Sequence, residues 1–168
     1  TTIYTGMITG YNIEGGTGVA GGNPQANIKN LMLIITTDNT IHEVALRLFA
    51  RCMMYGNPDK DNNYISAEHF RELTQSVPAD VKALINHNSE SATYANLKAY
   101  EKPSQDNYLF GLLNYHPYFG MNNITSRLKV MQLDNSDIID IGYSANDAGV
   151  AYNTLDILNE VFARQYQQ

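Results

Sequence analysis

Apolar residues recur along the chain in two rhythms: a helical one through the interior and the far end, and a strand-like one at the start and across residues 127–143. The clearest helical run is Ile41, Val44, Ala45, Leu48, Phe49 and Cys52, the i, i+3, i+4, i+7, i+8, i+11 series of one buried face, which predicts a helix over 41–52. Thr40-Ile41-His42-Glu43 has the form of a capping box at its start, with Asp38 as the other residue able to cap. Ahead of it, Ile28, Leu31, Met32 and Ile35 share helical spacing over 25–35, with Pro24 suited to a first turn. Residues 56–120 break into short helical pieces, with caps readable at Ser66 and Pro78 and further pieces over 90–100 and 106–115. The last of these stops at His116-Pro117, because the ring disfavours helical geometry in the residue before it. This stretch reads as a helical insertion at one edge or end of the domain.

Residues 2–9 are rich in β-branched and aromatic side chains and run into a glycine-dense stretch over 15–22, so they read as one strand followed by a loop. Residues 127–133 and 137–143 are two further strand-like segments joined by Asp134-Asn135-Ser136, the best hairpin in the chain. In its second strand Ile139, Ile141 and Tyr143 share one face while Ile138 and Asp140 share the other. A final helix follows Ser144 or Asn146, either of which can cap it, with Ala151, Leu155, Leu158 and Phe162 as a heptad-like stripe. The chain starts inside the first strand and stops inside this helix, so continuation at both ends is expected. The whole is an α+β domain: a small sheet of the first strand and the C-terminal hairpin, backed by helices, with residues 1–168 as one extramembrane unit.

Charge narrows the function classes. A net charge of -6 with no Lys/Arg stripe excludes nucleic acid as the expected partner. Cys52, the one cysteine, excludes an internal disulfide and falls on a buried helix face. No run approaches the roughly 20 apolar residues that span a bilayer.

Gly16-Thr17-Gly18-Val19-Ala20-Gly21 matches a dinucleotide fingerprint in letters, but Gly22-Asn23-Pro24 delays the helix that would receive a pyrophosphate, so no cofactor is expected. His42, His69, His87 and His116 form no local metal pair, and the 59–63 loop lacks the glycine and glutamate of a calcium loop, so no metal is expected. Asp134, Asp137 and Asp140 divide between a turn and opposite strand faces and cannot converge on a sugar, so no catalytic residues are expected. Tyr108, Tyr115, Tyr118 and Phe119 read first as core, with Tyr115 and Tyr118 as possible glycan contacts. The rival classes are a cell-surface carbohydrate-binding module and a hydrolase with its site in the insertion.

The order of strand, helices, a hairpin reading R-L-K-V-x-x-x-D-N-S-D-I-I-D-I-x-Y-S and a helix with A-x-N-x-L-x-x-L resembles the Wzz-like chain-length determinant (polysaccharide co-polymerase) family. Ser144, Asp147, Ala151 and Asn153 match that family's tail signature, whereas Ala148 stands where it usually has proline. The likeness covers the first ten residues, about 25–52 and about 124–168; residues 56–120 match nothing in it. It implies a non-catalytic periplasmic domain held by inner-membrane helices, assembling into ring-like homo-oligomers that set polysaccharide length beside the polymerase or export machinery. Some relatives carry a separate cytoplasmic tyrosine kinase. Under that reading Arg47, Arg51, Glu160 and Arg164 are the expected interface residues between subunits.

Overall fold

A computed structural model describes residues 1–4, 23–134 and 136–166. The glycine-dense stretch, the GxGxxG letters and the far half of the first predicted strand lie outside them. The elements in order are β1 (Thr2–Tyr4), α1 (Pro24–Ile35), α2 (Asp38–Tyr55), α3 (Ala67–Ser76), α4 (Ala79–Lys82), α5 (Glu90–Tyr100), α6 (Tyr108–Tyr115), α7 (Met121–Arg127), β2 (Leu128–Gln132), β3 (Ile138–Tyr143) and α8 (Ala148–Tyr166). The fold is α+β, a three-stranded antiparallel sheet backed by helices.

The sheet order is β1-β3-β2, with Ile3 opposite Ile139 and Val130 opposite Ile141. Thr1 extends the first pairing through its amino group, which donates to the Ile141 carbonyl at 2.6 Å. The alternation read from the sequence holds: Ile139 and Ile141 are buried while Ile138 and Asp140 are half-exposed. Between the strands, Leu133 N donates to Ile138 O at 3.0 Å, and Asp134 takes a positive φ of 44°, which a short polar side chain tolerates.

All six residues of the predicted α2 stripe are buried, but so are Leu46, Ala50, Arg51, Met53 and Met54. The helix is enclosed on most of its circumference, because α8 packs on one side and α5, α7, α3 and α6 on others. Its start also differs from the expected box. Thr37 is the N-cap, accepting from Thr40 N at 3.4 Å, and Thr40 is already helical, with its hydroxyl donating to Ile34 O at 2.8 Å. Glu43 turns instead to Arg47 at 2.8 Å and Arg164 at 3.0 Å.

Residues 56–120 are not an appendage. Leu73, Val77, Val81, Leu97, Leu109, Leu113 and Phe119 join Phe49 and the rest of α2 in one continuous apolar cluster, with Phe119 edge-on to Phe49 at 5.5 Å between ring centres. Their order from breaker to breaker matches α3 to α6, and α7 takes up the chain just before β2.

The α8 face is broader than a heptad seam and shifted. Val150, Asn153, Thr154, Ile157, Leu158, Val161 and Phe162 are buried, whereas Ala151 and Leu155 are only partly so. The reason is that α8 lies against both β3 and α2, which asks for a wide apolar arc. Thr154 is accommodated there by donating its hydroxyl to Val150 O at 2.7 Å. Gly149 permits the close seat of the helix start, since a Cβ there would stand 2.5 Å from Asn62 O. Among the described residues no helix is long and apolar enough to cross a membrane.

Candidate functional site

The segments entering α3 and α8 meet at Asp147. One carboxylate oxygen caps α8 by accepting from Val150 N at 3.0 Å; the other accepts from Ser66 N at 3.0 Å and from His69 Nδ1 at 2.6 Å. Asp147 is therefore the cap of α8, in place of Ser144 or Asn146, because it alone reaches both its own helix and α3. Burial pushes its carboxyl up, but the hydrogen bonds from Val150, His69 and Ser66 outweigh that and hold it below the ordinary carboxylate value.

Behind His69 stands Tyr118, buried, with its hydroxyl 3.2 Å from both ring nitrogens. With Nδ1 turned to Asp147, the hydroxyl can donate to Nε2. Burial raises the Tyr118 phenol to about 12, reinforced by Asp147 and Glu72, so it is a neutral hydroxyl at any physiological pH. His116, on the other side of Tyr118, accepts from Tyr118 N through Nδ1 at 3.1 Å, and burial lowers its pKa to about 4. It is thus a neutral imidazole with its proton on Nε2. These groups, with Glu72, Ser76 and Asn146 at the rim and Ile65, Leu73, Pro117 and Phe119 as apolar wall, line a cleft of about 390 Å³.

A second concentration of charge ties the helices together. Arg51 is 6% exposed and reaches Glu90 at 3.1 Å, Asp156 at 2.8 Å and Glu160 at 2.6 Å, joining α2 to α5 and α8. Arg47 pairs with Glu43 at 2.8 Å and lies 4.3 Å over the Tyr94 ring. Of the intersubunit candidates read from the sequence, Arg47 and Arg51 are both engaged within their own chain, and Arg51 is buried. Glu160 and Arg164 remain about half-exposed, although each has an intrachain partner.

No family model, curated protein or solved structure matches the chain.

The remaining sequence candidates fall in different places. Ser144 is exposed in the turn before α8, Ala151 is half-buried, and Asn153 is buried with its amide nitrogen 3.9 Å from Cys52 Sγ. The thiol of Cys52 is pushed up by burial and donates to Tyr64 O at 3.4 Å, an inert setting. Of the two glycan-contact candidates, Tyr118 lines the cleft, whereas Tyr115 is 71% exposed at the end of α6 and outside its lining. Asp140 accepts from the Thr2 hydroxyl at 3.3 Å, and Asp137 is buried just before β3. The 59–63 loop uses its polar groups on itself: Asp61 caps Ala67 N at 2.8 Å and Asn62 accepts from Tyr64 N at 2.9 Å. Among the described residues no group of three or more His, Cys, Asp or Glu is placed to hold a metal ion.

Sequence reasoning missed the roles of His69, His116, Glu72 and Asn146. Ser66-Ala67-Glu68-His69 was legible as a cap, and Ser66 does accept from His69 N at 3.3 Å. Nothing local connects His69 to Asp147, 78 positions away.

Proposed function

We propose that the chain is a non-catalytic domain of a Wzz-like polysaccharide chain-length determinant, on the periplasmic side of the bacterial inner membrane. It acts by geometry: copies associate side by side, and the spacing of the assembly governs how long the polymerase or export machinery extends the glycan. The observation that supports this reading is where the resembling residues sit. Asp147 latches α8 to α3, and Asn153 is buried between α8 and Cys52 of α2, so the likeness falls on positions that fix the long helix over the sheet. Held there, α8 presents Tyr152, Asp156, Glu160 and Arg164 at steps of four along one exposed ridge, with Tyr152 59% exposed as its aromatic anchor.

The test is polysaccharide length. A strain lacking the parent gene, complemented with the full-length protein or its Tyr152→Glu variant, is expected to regain the native length distribution only with the unaltered protein. An indistinguishable distribution in the deletion strain would refute the reading. The cleft favours a second reading, a carbohydrate-binding module, and the same gel separates them: a module that only binds glycan leaves chain length unchanged on deletion.

A further inference from the structure

We infer that the cleft between α3 and the 116–119 segment is a binding site for one neutral hexopyranose unit. This goes beyond the scaffold reading, since it assigns a ligand to a site that side-by-side association does not use. The first ground is the alternation of hydrogen-bonding roles around the cleft. His116 Nδ1 is occupied by Tyr118 N, so its Nε2 proton is a donor. His69 Nδ1 donates to the Asp147 carboxylate at 2.6 Å, and its ring and the Tyr118 hydroxyl, 3.2 Å from Nε2, both line the cleft. The Glu72 carboxylate accepts, and the Asn146 amide does both. A sugar hydroxyl donates and accepts at once, so adjacent donors and acceptors suit a polyol better than a ligand with one kind of group.

The second ground is shape and polarity. Pro117, Phe119, Leu73 and Ile65 give the cleft an apolar wall for the C–H face of a ring, and about 390 Å³ is within the range of small-ligand sites. The third is the local field. Beyond burial, Asp147, Glu72 and Glu68 raise the Tyr118 phenol and Arg127 alone opposes them, so carboxylates outnumber the cation beside the cleft, which disfavours a uronic acid or phosphate. Nothing in the scaffold needs this arrangement: Asp147 and Ser66 complete the α8–α3 latch without His116, Glu72 or Asn146.

The experiment is a titration of the isotope-labelled 168-residue chain with the methyl pyranosides of glucose, galactose and mannose, and with glucuronate, followed by backbone amide shifts. At least one neutral pyranoside is expected to move the amides of Glu72, Tyr118 and Phe119, with an affinity on the order of millimolar for so small a ligand. Glu72→Gln, a rim substitution that leaves the latch intact, is expected to weaken binding about fivefold without changing Tm. No shift at those amides with any neutral pyranoside up to roughly 50 mM would overturn the inference. So would glucuronate binding as tightly as the best neutral sugar, or unchanged binding by Glu72→Gln. Loss of the sugar site on these terms leaves the chain-length experiment standing, and an unchanged length distribution leaves the titration standing.

Discussion

Asp147→Ala is expected to lower Tm by about 10 °C. The substitution removes the α8 cap, typically about 1 kcal/mol. It also strands Ser66 N in a site where Asp147 is 2% exposed and takes the charge-assisted bond from His69 Nδ1, which keeps only the Ser66 hydroxyl at 2.9 Å, adding roughly 2 kcal/mol. Asp147→Asn keeps an oxygen for Val150 N but sets an amide nitrogen where Ser66 N and His69 Nδ1 both donate, so it is expected to recover only the capping share, about 1 kcal/mol of the loss. The pH dependence has a definite sign. The folded carboxyl lies below its unfolded value of 3.8, so the carboxylate contributes stability in full above that value and loses it as pH falls through the folded pKa. Thermal melts of the unaltered chain and Asp147→Ala are therefore expected to converge as the solution is acidified below 3.8 and to stay parallel at neutral pH. Parallel melts throughout the acid range would contradict the role given to this group.

The second large effect is expected at Arg51. Burial works against its charge, but the hydrogen bond to Glu160 and the fields of Glu90 and Glu160 more than restore it, so the guanidinium is held firmly protonated. Arg51→Met fills similar volume, strips Asp156 and Glu160 of the cation between them, and leaves Glu90 with Arg47 alone at 3.7 Å. Breaking a buried pair costs roughly 3 to 5 kcal/mol, but Asp156 and Glu160 are 49% and 47% exposed and water screens them, so about 2 kcal/mol is expected. Arg51→Lys restores the charge but cannot fork to three carboxylates, and its denaturation midpoint should fall between the two. Urea unfolding checks the order Arg, Lys, Met; a Met variant as stable as the Lys variant would show that packing, not pairing, is what Arg51 supplies.

How far the sequence speaks for this fold follows from the range of the interactions. Local rules were readable: the α2 stripe from Ile41 to Cys52, the β3 alternation, the Ser66 cap and the stop at His116-Pro117 each depend on neighbours within one or two turns. Thr37 was missed because Thr40 and Glu43 spell a better box, whereas Glu43 is drawn out of it by Arg47 one turn on and by Arg164 of α8. The α8 face was displaced for a similar reason. A heptad counts Ala151 and Leu155, yet the helix must meet β3 and α2 together, and that wider contact recruits Asn153 and Thr154. The cleft was illegible because its members come from α3, the 116–119 segment and the turn before α8, which only the closed core brings together. The burial of Arg51 was illegible for a related reason: an arginine on a helix suggests a surface, whereas α2 has almost none.

The claim on which the account depends is that α8, fixed by Asp147 and Arg51, offers its exposed ridge to a neighbouring copy. The most direct measurement places the photo-cross-linking residue p-benzoylphenylalanine at Tyr152 of the full-length protein in intact cells, with Tyr115, 71% exposed on α6, as the control position. Irradiation is expected to give a ladder rising in steps of one subunit mass from position 152 and little beyond monomer from 115. Monomer alone from position 152, or equal ladders from both positions, would contradict it.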